Sequence, residues 1–239
     1  MCSPIVMVVT LSPNNTMTEQ QWGVLHVDGH DAESFLQGQL TQDMSAVTSD
    51  PLWSLLLTPD SKIVALVHVS RTVTGFDLVL PQELIDASYA RLKRFLLRIS
   101  CTIESESVGV GPWLHDEDRI DLKLPGIGDF AKGFTPHTFG RSFVDATISF
   151  SKGCFTGQEL VGRLDARGSS VPFRFVAFTA PDVASAEAVI GSKGPKGMAG
   201  LSAVRQSSEG IRGLAVVHRT LLGDEVASVI NGVHIDSIQ

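Results

Sequence analysis

The side chains best suited to chemistry lie in one eight-residue segment: Lys152, Gly153, Cys154, Phe155, Thr156, Gly157, Gln158 and Glu159. Its ammonium, thiol and carboxylate could hold or act on a ligand, and its two glycines would let the main chain come close to one. Thr156 and Glu159 stand three residues apart before an apolar helical pattern, which predicts a capping box opening a helix over 157–166. A helix N-terminus beside Lys152 suits an anionic or electron-rich ligand. The alternative is an ordinary helix start, with Cys154 packed as a small apolar residue.

The elements that must position this segment begin at residue 22. Apolar patterns predict strands over 22–27, 52–58, 63–69, 76–80 and 99–104, and helices over 31–44 and from Pro81 onward. The two runs on either side of the Pro59-Asp60 turn are typical of an antiparallel hairpin. The order βα, ββ, βαβ favours an α+β fold, with mixed or antiparallel sheets and packed helices, over a doubly wound parallel sheet.

The second half of the chain is richer in glycine and proline. Its glycines and prolines predict long, ordered loops over 105–150 around a short strand at 119–124. Such loop-rich stretches inside a folded chain are more often functional than idle. After residue 171 the pattern predicts short strands over 173–179, 198–204, 211–219 and 225–230. The predicted organisation is an arm over 1–21, an α+β domain over 22–170 and a small C-terminal β-barrel-like unit over 171–239.

Composition excludes several classes of protein. The 19 Lys and Arg residues against 26 Asp and Glu residues give a net charge of −7, which disfavours a general nucleic-acid or anionic-membrane binder. The three cysteines, Cys2, Cys101 and Cys154, form no CxxC pair, which argues against a secreted disulfide framework and against a self-sufficient zinc or iron-sulfur site. The histidines show no metal-ligand spacing. The apolar run over 4–11 lacks a basic start and is too short for a membrane anchor, so we expect a cytoplasmic protein.

The eight-residue segment resembles the K-G-C-[FY]-x-G-Q-E signature of the YgfZ-type folate-binding proteins, relatives of the aminomethyltransferase (T-protein) of the glycine cleavage system. Four further blocks are similar to motifs of this family: F-L-Q-G-Q-L-T-Q-D at 35–43, L-T-P-D-S-K at 57–62, R-I-D-L-K-L-P at 119–125 and F-T-P at 134–136. The likeness covers roughly residues 22–180. It implies the folate-binding fold of this family, with tetrahydrofolate or a derivative as the ligand.

The sequence also departs from the family. The aminomethyltransferases carry a pair of aspartates after the L-T-P turn, one of them the catalytic group, and the corresponding positions are Ala65 and Leu66. Neither side chain can take or give a proton, which argues against aminomethyl transfer. Ser61 and Lys123 stand where the family has glycine, and Asp121 replaces a glutamate with a carboxylate one methylene shorter.

The resemblance implies the residues that would bind the folate. They are Asp121, Lys152, Gly153, Cys154, Phe155, Gly157, Gln158, Glu159 and Arg163. The two oxygens of Asp121 would match paired N–H donors of a pterin ring. Arg163 could face the same pocket or form an exposed pair with Glu159. Cys154 could be a redox-responsive thiol, which would make it the catalytic group, or a packed one.

A helix rich in basic residues presents a further alternative. Arg91, Lys93, Arg94 and Arg98 could face the glutamate tail of a folate, although a solvated helix face is the simpler explanation.

Three functions remain open at this point. The first is a tetrahydrofolate-binding protein of the YgfZ type that supports iron-sulfur cluster assembly or repair, with iron-sulfur client proteins as partners and neither nucleic acid nor membrane. The second is a folate-dependent one-carbon transferase, in which Asp121, Asp43 or Asp60 replaces the missing pair. The third is a non-catalytic interaction module.

Overall fold

In the computed structural model the chain forms two units, and each unit is built from two separate stretches of the sequence. The structure describes residues 9–11, 17–19, 21–109, 116–167, 171–191, 198–222 and 227–238. The first unit comprises Met1–Trp113 and Val144–Arg163, and the second comprises Leu114–Phe143 and Leu164–Gln239, as far as these ranges are described. The predicted domains, 22–170 and 171–239, stay a prediction.

Whereas the two short strands within the predicted arm over 1–21 were not expected, from residue 22 onward the first unit follows the predicted order of elements. In chain order these are β1 (Val9–Leu11), β2 (Met17–Glu19), β3 (Trp22–Asp28), α1 (Ala32–Gln39), a 3-10 turn (Met44–Ala46), β4 (Leu52–Leu57), β5 (Ile63–Arg71), β6 (Gly75–Pro81), α2 (Gln82–Lys93) and β7 (Thr102–Ser107). The helix expected over 31–44 is shorter, since α1 ends at Gln39. Pro81 lies directly before α2, where its missing N–H leaves no helical hydrogen bond unmade.

The sheet of the first unit is antiparallel throughout, with strand order β4-β5-β6-β3-β7. The predicted hairpin is present as β4 and β5. Alternate residues of these strands, such as Val27 and Val67, face a core that includes Phe35 and Leu36 of α1 and Leu92 of α2. Burial of these apolar side chains on one face of the sheet is the main stabilising contribution in this unit.

From residue 116 onward the elements are more irregular. They are α3 (Asp116–Leu122), α4 (Ile127–Phe130), a 3-10 turn (Pro136–Phe139), α5 (Arg141–Thr147), α6 (Gln158–Ala166), β8 (Phe173–Ala180), α7 (Val183–Ile190), β9 (Gly200–Ser207), β10 (Gly210–His218), a 3-10 turn (Arg219–Leu221), β11 (Ala227–Ile230) and β12 (Val233–Ser237). Two of the three boundaries between the two units fall within α5 and α6.

The strand predicted over 119–124 is wrong, because this stretch lies mainly in α3. Ile120, Leu122 and Leu124 alternate in sequence as in a strand, but Leu122 and Leu124 are exposed. The buried residues are instead the neighbours Arg119 and Ile120, which a half-buried strand would place on opposite faces. Lys123, with a positive φ of 56°, follows the helix.

The second sheet contains the four predicted C-terminal strands and one more, β12. Its order is β11-β12-β8-β10-β9, with antiparallel pairing. Over the described residues the edge strands β11 and β9 do not pair with each other, so the sheet is open and the barrel-like unit is not confirmed. The unit is not all-β either, because α7 packs Ala186 and Val189 against the sheet core. Together the two sheets and the helices form a mixed α+β fold.

Of the helices in the part of the chain that is described, none has the length and apolar character needed to cross a membrane.

Candidate functional site

The segment Lys152 to Gly157 is held against two other parts of the first unit. The N–H of Thr156 donates to the carbonyl oxygen of Gly38 at 3.0 Å, near the end of α1. The hydroxyl of Ser61, in the turn between β4 and β5, donates to the carbonyl oxygen of Gly157 at 2.5 Å. Three of the sequence blocks that carry the family resemblance, 35–43, 57–62 and 152–159, therefore meet within one unit.

Lys152 is buried at the centre of this arrangement. Its Nζ donates to the carbonyl oxygens of Leu40 and Gln42, each at 2.8 Å, and lies 5.5 Å from the ring centroid of Phe155. Burial lowers the pKa of Lys152 to about 8, although the nearby charge of Asp43 acts in the opposite direction. Two of the three N–H donors of the ammonium are used by the main chain, so Lys152 fixes the segment in place.

Gly157 could not be replaced by another residue without strain. Its φ is +86°, and a Cβ atom built there would lie 2.6 Å from the carbonyl oxygen of Thr58. The facing residue, Ser61, also has a positive φ of 63°. Serine at this family glycine position thus keeps the left-handed backbone and adds a hydroxyl that bonds Gly157.

The open part of the segment is Gly153 and Cys154. A Cβ atom at Gly153 would meet no heavy atom within 4 Å, apart from its own chain neighbours. Cys154 is exposed and is not packed as a small apolar residue, whereas the next residue, Phe155, is 6% exposed. The segment therefore combines a fixed backbone with an accessible thiol, which is the surface that a ligand or partner could approach.

The predicted capping box is wrong. The helix α6 starts at Gln158, and Gly157 with its positive φ separates it from Thr156. The N–H of Thr156 donates to the carbonyl oxygen of Gly38, so it does not donate to the carboxylate of Glu159 as a capping box requires. Glu159 pairs instead with Arg163 across one helical turn, and both side chains are exposed. This is the exposed pair that the sequence allowed for Arg163, and the roles of Gln158, Glu159 and Arg163 in binding stay predictions.

Asp121 lies on α3 in the second unit. Arg205 of β9 donates to its two carboxylate oxygens, with Nη2 at 2.6 Å and Nη1 at 3.0 Å. These hydrogen bonds and the charge of Arg205 lower the pKa of Asp121. The side chain is 52% exposed, so further acceptor positions of the carboxylate face solvent. The pterin-binding role of Asp121 stays a prediction.

Two buried polar networks were not predicted from the sequence. In the first unit the hydroxyl of Thr41 donates to the carbonyl of Thr147 at 2.7 Å and accepts from the N–H of Leu55 at 2.8 Å. In the second unit Asp129 accepts from the hydroxyl of Ser202 at 2.5 Å and lies 3.6 Å from Arg119. Thr41 and Arg119 belong to the family-like blocks at 35–43 and 119–125, which was the only signal for them.

The four basic residues expected on one helix do not all lie on it, because α2 ends at Lys93 and Arg98 lies beyond it with a positive φ of 64°. Lys93, Arg94 and Arg98 are exposed, which agrees with a solvated surface, whereas Arg91 is 9% exposed. In the part of the chain that is described, no group of three His, Cys, Asp or Glu residues is placed to hold a metal ion.

Comparison with known proteins supports the resemblance to YgfZ-type proteins that the sequence motifs indicate. No family model matches the chain. An uncharacterized protein of Haemophilus influenzae is 25% identical over 200 residues, covering 65% of this chain and 70% of the relative. The tRNA-modifying protein YgfZ of Enterobacter sp. is 22% identical over 227 residues, covering 66% of this chain and 70% of the relative.

A solved structure shows the same fold. The glycine cleavage system aminomethyltransferase T of Bartonella henselae matches with a TM-score of 0.58 and 14% identity, over 91% of this chain and 82% of the other. Together with the YgfZ relatives, this shared fold confirms the resemblance to a YgfZ and T-protein type of folate-binding family that the motifs predicted.

Proposed function

We propose that this chain, a relative of the YgfZ proteins with the fold of the glycine-cleavage aminomethyltransferase, binds tetrahydrofolate or a derivative without catalysing aminomethyl transfer. We further propose that its cellular role is to support the assembly or repair of iron-sulfur clusters in other proteins, in the cytoplasm. The supporting observation for binding is the convergence of three family-like blocks in the first unit, which leaves Gly153 and Cys154 accessible on a fixed backbone.

The interior of β5 argues against the transferase. Ala65 and Leu66, which stand where the aminomethyltransferases have their aspartates, are 0% and 5% exposed and pair with Leu56 and Leu55 of β4. These positions are part of an apolar strand pair and offer no group that could transfer a proton.

The carboxylates that could replace the missing pair are poor bases. Asp43 accepts hydrogen bonds from Ser45 and Gln37, Asp60 accepts one from Thr58 beside Lys62, and Asp121 is bonded by Arg205. These bonds lower the pKa of all three aspartates. Because a general base works best with a pKa near the working pH, the one-carbon transferase is the less favoured alternative.

The YgfZ relatives are named tRNA-modifying proteins. This name is compatible with an indirect effect of the present chain on tRNA modification. The net charge of −7 is unfavourable for a protein that neutralises RNA phosphates. We therefore propose that any effect on tRNA modification would pass through iron-sulfur client proteins. A tRNA gel-shift experiment at low salt tests this, and tight binding of bare tRNA would contradict it.

Folate binding is tested by calorimetric titration with tetrahydrofolate and its 5-formyl and 5,10-methylene forms. We expect binding of at least one of them, together with a higher melting temperature, because a ligand that binds only the folded state stabilises it. Incubation with 5,10-methylene-tetrahydrofolate and an amine donor, followed by product analysis, separates binding from transfer. Formation of product at catalytic rates would contradict the proposal, and absence of all folate binding would favour the interaction module.

The iron-sulfur role is tested in cells that lack the endogenous protein. We expect wild type and Cys101→Ser to restore the activity of iron-sulfur enzymes, and Cys154→Ser to fail while still binding folate. Full rescue by Cys154→Ser would show that the thiol is dispensable for this role.

A further inference from the structure

The guanidinium of Arg91 is buried with most of its hydrogen-bonding capacity unused. Arg91 lies in the last turn of α2 and is 9% exposed. Among the described residues its only polar partner is the carbonyl oxygen of Leu57, 3.4 Å from Nη2. Its Nε and Nη1 atoms are buried and have no hydrogen-bond partner. Buried donors are normally satisfied, because leaving them unpaired costs the desolvation energy of the group.

The charge of Arg91 is also unbalanced. Over the described part of the chain no carboxylate forms an ion pair with it, and the nearby charge that affects it is that of Arg94, the C-cap residue of α2. The dipole of α2 favours cations at this end of the helix, but it provides no hydrogen-bond acceptor for Nε and Nη1 of Arg91. A planar guanidinium with free Nε and Nη donors matches the paired oxygens of a carboxylate or phosphate.

Two neighbouring side chains fit a ligand at this place. Phe95, just beyond the end of α2, lies over the guanidinium with its ring centroid 4.4 Å from Cζ and is 41% exposed. Ser88 lies one turn before Arg91 on the same helix face, is 1% exposed and has a hydroxyl with no partner.

We propose that Arg91, together with Ser88 and Arg94, binds the oxyanion group, a carboxylate or a phosphate, of a small-molecule ligand at the C-terminal end of α2. Phe95 covers the site in the free protein. The site is built entirely from residues of the first unit and does not depend on the proposed folate function.

The test is a set of titrations in a buffer free of phosphate and carboxylate, with inorganic phosphate and with tri-γ-glutamate as separate probes. We expect at least one probe to bind and to raise the melting temperature beyond the effect of sodium chloride at equal ionic strength. The probe that binds more tightly identifies the source of the oxyanion. If neither raises the melting temperature at millimolar concentration, the proposal is wrong.

Variants on α2 separate a site from a general charge effect. Arg91→Gln should weaken binding by about 10-fold to 100-fold, the loss expected for a charge-assisted hydrogen bond. Lys93→Gln is the matched control, because it removes one positive charge from the same helix. The ammonium of Lys93 lies outside the proposed site and donates to the hydroxyl of Tyr89 at 3.2 Å. Equal weakening by both variants would overturn the proposal.

Stability of the free protein distinguishes binding from a structural role. Without a ligand, Arg91→Met should melt at the same temperature as wild type or higher, because it removes a buried, unpaired charge. A clearly lower melting temperature in the anion-free buffer would show that Arg91 serves the fold and would contradict a binding role.

Discussion

The ammonium of Lys152 lies 2.8 Å from the carbonyl oxygen of Leu40, a residue 112 positions earlier in the chain. This contact joins the end of α1 to the segment that most resembles the family signature. The lysine, which the sequence suggested as a ligand-binding charge, thus has its main visible role in positioning Gly153 and Cys154.

Lys152 should make stability rise with pH in the alkaline range. Its folded pKa is about 8, whereas an unfolded lysine keeps its ordinary value of 10.5. Between these values the unfolded state binds more protons, so the free energy of unfolding increases as the pH rises and this contribution is lost as the pH falls through 8. Urea unfolding from pH 7.5 to 10.5 should show a steeper rise in wild type than in Lys152→Met. Lys62→Met, at an exposed ion pair, should keep the slope of wild type, and equal slopes in all three proteins would refute the prediction.

The two glycines of the signature should respond differently to alanine. Gly157→Ala should lower the free energy of unfolding by about 1–3 kcal/mol, because of the positive φ and the contact with Thr58. Gly153→Ala has free space and should stay within about 0.5 kcal/mol of wild type. Chemical denaturation measures both. If Gly153→Ala proves the more destabilising variant, the described path of this segment is incorrect.

Asp129→Ala should be among the most destabilising substitutions in the second unit. Asp129 is 3% exposed, accepts from the N–H of Gly126 at 2.8 Å and is the carboxylate beside the buried Arg119. Removing one member of a buried ion pair costs about 3–5 kcal/mol. Asp121→Asn, at the exposed pair with Arg205, should cost only about 0–1 kcal/mol. Similar losses in the two variants would argue against the buried network.

Cys154 should be alkylated by iodoacetamide faster than Cys101 at neutral pH. Cys154 is exposed, whereas burial and the charge of Asp31 raise the pKa of Cys101 and reduce its thiolate fraction. Peptide mapping by mass spectrometry follows each cysteine separately, including Cys2, which lies outside the described residues and is also expected to react more slowly than Cys154. Faster labelling of Cys101 would be incompatible with an accessible Cys154.

Local patterns were sufficient to predict much of the first unit. Alternating apolar residues identified β3 and the β4–β5 hairpin, and Pro81 marked the start of α2, because these signals act within a few residues. The helix α3 was missed because Ile120, Leu122 and Leu124 imitate the period of a strand. The prediction of a capping box was wrong because the carbonyl oxygen of Gly38, which is distant in sequence, accepts the hydrogen bond from the N–H of Thr156. The partners of Lys152 depend on the same long-range packing.

The proposed function depends on the binding of a reduced folate by this chain. Calorimetric titration of tetrahydrofolate into the wild-type protein and into Asp121→Asn measures this binding. We expect a micromolar or tighter dissociation constant for wild type, weakened about 10-fold to 100-fold in the variant, because the amide loses a charge-assisted hydrogen bond to the pterin. Asp165→Asn, at the pair with Arg141 in the same unit, should bind like wild type. A folded wild-type protein that shows neither heat of binding nor thermal stabilisation at saturating tetrahydrofolate would contradict the claim.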